Sequence, residues 1–185
     1  MDKPFSVLFV CLGNTCRSTM SEGIFHHLVK SKGLQDQWNI DSAGIANWHE
    51  GKPPDEFTVA MLQRNNMMDG YHHRARQITE ADFTKFKFIL GMDDYNLSDL
   101  KKVLPQQCSA KIQLLGQYDI KGEDPQIYDP YMKLKYLRKY TPNVSDVVRD
   151  SWSLKPTSFH GQNCKRNILC DYLFIYAQYN VTIIY

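Results

Sequence analysis

The chain has 185 residues, 43% of them hydrophobic, which is enough for one domain with a sizeable core plus, at most, an extension. A formal net charge of only +2, with no dense run of Lys or Arg, argues against nucleic acid as a partner, and five cysteines without regular spacing argue against a disulfide framework and for a reducing, cytoplasmic setting. Met1-Asp2-Lys3-Pro4-Phe5 carries no basic start followed by an apolar run, and the longest apolar stretch, Tyr172 to Tyr185, is broken by Gln178 and Asn180, so neither a signal peptide nor a membrane span is expected.

Phe5 to Val10 reads as a buried strand, and Arg17 to Lys30, with Met20, Ile24, Phe25 and Leu28 at helical spacing, reads as a helix ending near Gly33. Trp38 to Ser42 is predicted as a second strand. Pro54 marks a first turn, and Phe57, Met61 and Leu62 carry a helix from about Asp55 to Asn65. Thr79 to Phe83 opens a brief helical turn, Phe86 to Met92 reads as a third strand, Asp93 to Lys102 as a capped helix, Ile112 to Leu115 as a fourth strand and Pro125 to Tyr131 as a loop. This alternation predicts an α/β fold: a doubly wound, four-stranded parallel sheet with helices on both faces. Ligands in such folds sit beyond the carboxyl ends of the strands, where the loop after the first strand lies.

That loop, Cys11-Leu12-Gly13-Asn14-Thr15-Cys16-Arg17-Ser18, has the composition needed to hold and attack a phosphate. A short segment between a strand end and a helix start can aim several backbone N–H groups at one anion. Gly13 and Asn14 are the residue types that most readily accept the positive φ such a curl requires. Arg17 adds a planar, two-pronged donor, and Ser18 is placed to hydrogen-bond the sulfur of Cys11. Helix N-termini and cations favour the thiolate form of cysteine, so Cys11 is expected to be the nucleophile. Taken alone, Cys11 could equally be an inert residue at the end of a core strand; the surrounding strand, turn, arginine, serine and helix decide against that. Cys16 divides evenly between packing in the first helical turn and acting as a redox partner of Cys11.

With these residues in place, the first 131 residues resemble the low-molecular-weight protein tyrosine phosphatases. The match runs through the phosphate loop Cys11 to Ser18, then Asp41-Ser42-Ala43-Gly44 and Asn47-Trp48-His49, then His73-Arg74-Ala75-Arg76-Gln77, and finally Asp129-Pro130-Tyr131. Two departures are Thr19, where the family usually has proline, and Met132, where many members have a second tyrosine. The resemblance implies that Asp129 protonates the leaving phenol and later takes a proton from water, a task suited to a loop carboxylic acid. It implies that Asn14, Ser18, Ser42 and His73 form a hydrogen-bond network that holds the loop in shape. Trp48 and Tyr131 would grip the aromatic ring, and Leu12, with Gly13, Thr15 and Cys16, would complete the loop around the substrate.

The expected activity is therefore hydrolysis of phosphotyrosine or small aryl phosphates through a phosphocysteine, with no metal or other cofactor, in a monomer. An arsenate reductase of the same architecture would share the loop but needs further redox cysteines, and only Cys108 is available before the tail. A phosphotyrosine-binding module with weak or no turnover is the other alternative.

Composition changes near residue 132. From Lys133 to Tyr185 there are eight Lys or Arg against three Asp and no Glu, a balance of +5 that leaves −3 for the rest. Residues 132–185 are accordingly read as an atypical basic tail where the family closes its fold with an amphipathic helix. Restoring one base after the Tyr131 codon lets the codons beneath Met132 to Val148 encode a stretch resembling that helix, beginning with the second tyrosine. A shifted reading frame is the expected origin, ahead of an alternative exon, with ordinary divergence as the remaining alternative, and low thermal stability with ready proteolysis after residue 131 is the expected consequence.

Overall fold

The computed structural model describes residues 5–118 and 125–129. Its elements are β1 (Phe5–Cys11), α1 (Arg17–Ser31), β2 (Trp38–Gly44), α2 (Glu56–Arg64), α3 (Asp82–Lys85), β3 (Phe88–Gly91), α4 (Asp94–Lys102) and β4 (Lys111–Leu114), followed by a 3-10 turn at Leu115–Tyr118. The four strands form one sheet in the order β2-β1-β3-β4, and every pairing is parallel.

The alternation of side chains along β1 explains the two-sided core. Val7, Phe9 and Cys11 face one layer with Met20, Ile24, Phe25 and Leu28 of α1 and Met61 and Leu62 of α2. Leu8 and Val10 face the other with Phe83 of α3, Leu100 of α4, Phe86 and Ile89. A strand buried on both sides must read as a nearly unbroken apolar run, and β1 does. On the first face Gly23 lets α1 and α2 close together, since a Cβ there would lie 2.6 Å from Leu62 Cδ1. Fully burying side chains such as Phe9, Phe25 or Leu28 contributes about 1.5–3 kcal/mol each.

Helix ends follow local chemistry. Gly33, at φ +66°, closes α1: its N–H donates to Lys30 and the next N–H, of Leu34, reaches back to Val29. Asn66, at φ +56°, closes α2 in the same way through Gln63 and Leu62. Asp55 and Asp93 cap α2 and α4 by accepting the N–H of Thr58 (2.6 Å) and Asn96 (2.7 Å). Pro54 therefore stands just before the cap rather than inside the first turn. The third strand is shorter than Phe86 to Met92 because Phe86 N–H closes α3 onto Asp82, and Met92 N–H is taken by the Asn96 side chain. The second strand instead runs on to Gly44, whose N–H donates to the Arg76 carbonyl at 2.8 Å.

The chain leaves β1 toward β2 and later returns on β1's other side to form β3, so the direction of winding reverses beside β1. The crevice at that reversal, at the carboxyl ends of β1 and β3, is where an open α/β sheet binds ligands.

Candidate active site

Residues 11–17 turn at that crevice, and their carbonyl groups are tied outward. The Cys11 and Leu12 carbonyls accept from Ile45 and Ala46 at 3.0 and 2.9 Å, the Thr15 carbonyl from Asp55 at 2.8 Å, and the Cys16 carbonyl from Met20 at 2.8 Å. No peptide bond among the described residues is cis, so each following N–H points opposite to its preceding carbonyl and away from these partners. The amides of Leu12, Gly13, Cys16 and Arg17 are thus left for the cleft. Helix α1 begins there with no side-chain cap at Cys16 and no acid in its first turn, which keeps its positive end open to an anion.

Cys11 is buried with its sulfur in this turn. Its Sγ accepts the Asn14 N–H at 3.3 Å and lies 3.0 Å from Ser18 Oγ. Asn14 Nδ2 donates to that same hydroxyl at 3.0 Å, which leaves the Ser18 proton free to point at sulfur. Asn14 itself takes φ +54°, the left-handed turn its residue type allows.

Behind the loop the network continues. Asn14 Nδ2 also donates to Ser42 Oγ at 2.8 Å, and the Ser42 hydroxyl donates to Glu22 Oε2 at 2.7 Å. His73 lies with Nε2 2.9 Å from Asn14 Oδ1 and Nδ1 3.0 Å from Glu22 Oε2. The Tyr71 hydroxyl sits 2.9 Å from the Thr19 carbonyl and 3.1 Å from Glu22 Oε2. Burial and the neighbouring Glu22 charge push the Tyr71 phenol far above its ordinary range, so it stays a hydroxyl. The Arg76 N–H completes the set by donating to Asn14 Oδ1 at 2.9 Å, while its guanidinium bridges Asp41 and Asp82. Donor atoms of Glu22, Asp41 and His73 lie within 4.8 Å of one another, but each is engaged in these hydrogen bonds.

Arg17 is nearly enclosed, with 4% of its side chain exposed. One Nη1 donates to Asp93 Oδ2 at 2.5 Å and to the Ile127 carbonyl at 3.0 Å, and Nη2 donates to Asp129 Oδ2 at 2.7 Å. Burial opposes its charge, but Cys11, Asp129 and Asp93 outweigh that and hold the guanidinium protonated more firmly than usual.

A cleft of about 800 Å³ opens over these groups, and Cys11, Leu12, Gly13, Thr15, Cys16, Arg17, Trp48 and Asp129 all line it. Trp48 is 67% exposed, available as a wall for an aromatic ring. His49 packs over Gly13 so closely that a Cβ at Gly13 would lie 2.9 Å from His49 Cδ2. Cys16 faces Asp55, and burial, then the charge and hydrogen bond of that carboxylate, push its thiol strongly up.

The structure thus brings together Cys11, Leu12, Gly13, Asn14, Thr15, Cys16, Arg17, Ser18, Ser42, Trp48, His73 and Asp129; Tyr131 lies outside the described residues. Sequence reasoning missed Glu22, Tyr71 and Asp93. Glu22 stands on the side of α1 that carries Ser18, Phe25 and Val29, opposite Met20 and Ile24, so the apolar spacing used to read the helix did not mark it. Asp93 was visible only as a cap, which hid its second partner, Arg17.

The low molecular weight phosphotyrosine protein phosphatase family model matches residues 6–150. The pig enzyme of that name is 46% identical over 132 residues, 68% of this chain and 79% of the relative. Among solved structures, YfkJ from Bacillus subtilis superposes with a TM-score of 0.65 at 34% identity, covering 94% of both chains. The Drosophila arginine phosphatase DARP superposes with a TM-score of 0.61 at 42% identity, covering 68% of this chain and 80% of that one. A strand-to-helix phosphate loop with an enclosed arginine beneath one cleft defines a cysteine-dependent phosphatase of the α/β class. The chain belongs to the low molecular weight phosphotyrosine protein phosphatase family.

Proposed function

We propose that the protein hydrolyses phosphotyrosine and other aryl phosphate monoesters in two displacements. The Cys11 sulfur attacks phosphorus while the bond to the phenol oxygen breaks and Asp129 gives that oxygen its proton. Water then attacks phosphocysteine, Asp129 takes the water's proton, the P–S bond breaks and inorganic phosphate leaves. Arg17 and the inward amides stabilise the charge on the transferring phosphoryl group in both steps. The observation that carries this reading is that Cys11, Arg17 and Asp129 line one cleft, with the sulfur receiving hydrogen bonds from the loop itself. Leu12, Trp48 and Tyr131 are assigned to the aromatic ring, and Asn14, Ser18, Ser42 and His73 to holding the loop. Substrates are phosphotyrosine proteins or small aryl phosphates, acted on by a cytoplasmic monomer.

The test is phosphate release from phenyl phosphate and from a nitrophenyl phosphate. Cys11→Ser is expected to abolish both activities, because a serine hydroxyl is not ionised in this loop. Asp129→Ala is expected to lower kcat/KM, which reports the first displacement, by about 10²–10⁴ for phenyl phosphate and far less for the activated ester. Equal losses on the two esters would remove Asp129 from the acid role. Identity to DARP supports a second substrate class, so phosphoarginine belongs in the same assay. Phosphopeptide binding without phosphate release would favour a binding module, and arsenate-dependent oxidation of thioredoxin a reductase.

In this reading residues 1–131 form the phosphatase domain and 132–185 an atypical tail. Transcript sequence across the Tyr131 codon separates a lost base from an alternative exon.

A further inference from the structure

Three successive residues at the end of β3 reach toward the same neighbourhood. The Met92 carbonyl accepts the Ile127 N–H at 2.7 Å, and Asp93 holds Arg17 while capping α4. Asp94 exchanges two hydrogen bonds with Gln126: its backbone N–H donates to Gln126 Oε1 at 2.9 Å, and Gln126 Nε2 donates to Asp94 Oδ2 at 2.8 Å. The Asp94 N–H is among the first amides of α4 and has no acceptor within its own helix, so the Gln126 amide oxygen meets an available donor. A side-chain amide bonded at both ends to one residue is fixed in rotation as well as place. Between Gln126 and Asp129, Ile127 is held at both backbone groups, its N–H by Met92 and its carbonyl by Arg17.

We propose that the Asp94–Gln126 pair is a positioning device for Asp129, setting where the segment 125–129 stands against the β3–α4 junction and hence where the acid's carboxyl meets the leaving oxygen. The proposal rests on Asp129 acting as the general acid. Neither Asp94 nor Gln126 is among the described residues that line the cleft, which suits a positioning role rather than a catalytic one.

Gln126→Leu keeps the bulk of the side chain and removes both hydrogen bonds. The expected result is a fall of about tenfold in kcat/KM for phenyl phosphate, a fraction of the full effect of general acid catalysis, with kcat/KM for a dinitrophenyl ester nearly unchanged, because kcat/KM reports phosphocysteine formation and not the hydrolysis step that all esters share. Gln126→Glu alone sets two carboxylates against each other and is expected to slow phenyl phosphate similarly. Combined with Asp94→Asn, whose amide can donate to the introduced carboxylate, it is expected to recover most of the lost rate. Equal losses on both esters, a loss that follows Tm rather than leaving group, or no recovery in the double variant overturns the proposal. Asp129→Ala, assayed beside them, keeps the two readings apart. If it discriminates between the esters and Gln126→Leu does not, the positioning role alone fails; if Asp129→Ala does not discriminate, both fail.

Discussion

Asn14 concentrates several requirements in one side chain, because it must turn left-handed while its amide binds Ser18, Ser42, His73 and the Arg76 N–H. Asn14→Ala is expected to destabilise the protein and suppress turnover, since it adds left-handed strain, removes a donor from the Ser18 and Ser42 hydroxyls and takes the Oδ1 acceptor from the Arg76 N–H. Asn14→Gly removes the same bonds but not the conformational freedom. It should unfold in urea at higher stability than the alanine variant, by about 1–2 kcal/mol, and equal midpoints would show that φ at this position is not strained. A second residue-scale outcome concerns the two loop thiols. Burial and Asp55 keep Cys16 protonated, so peroxide should oxidise Cys11 first. Cys16 is then expected to displace the hydroxyl of the Cys11 sulfenic acid, forming a disulfide and water, which a reductant would reverse. Recovery of activity by dithiothreitol should fall sharply in Cys16→Ser; unchanged recovery would contradict this pairing.

Among the elements, α1 carries a pH-sensitive flaw. His26 Nδ1 is buried with no hydrogen-bond partner among the described residues, and burial holds the imidazole below its usual range despite the nearby Glu22 charge. The unfolded chain thus binds a proton more readily than the folded one. Stability from this site is present above about pH 6.5, the unfolded value, and is lost as pH falls through the lower folded value. Tm should drop between pH 7.5 and 5.5, and drop less in His26→Gln. The same scale shows what the sequence could express. Strands and helices were legible because β1 is apolar on both faces and because Gly33, Asp55 and Asp93 are chemically suited to end or begin helices. The phosphate loop was legible because its parts are contiguous. Glu22–Tyr71 and Arg17–Asp93 were not, since their partners stand 49 and 76 positions apart and only the folded sheet brings them together.

For the whole molecule, two apolar layers on one sheet give the described core its cohesion, and net stability for a domain is only about 5–15 kcal/mol. Losing a few buried side chains at about 1.5–3 kcal/mol each would consume much of that. If residues 132–185 do not supply the family's closing helix, the protein should melt below about 60 °C, and a cooperative calorimetric transition above that would refute the expectation. The Arg17 guanidinium, reaching over from α1, and the segment carrying Asp129 both hydrogen-bond to residues 92–94. Under the proposed function, a small excursion of the β3–α4 junction is expected to draw the guanidinium and the acid the same way and so to temper the change in their spacing. Catalytic alignment then depends less on a motionless scaffold than on a shared frame of reference.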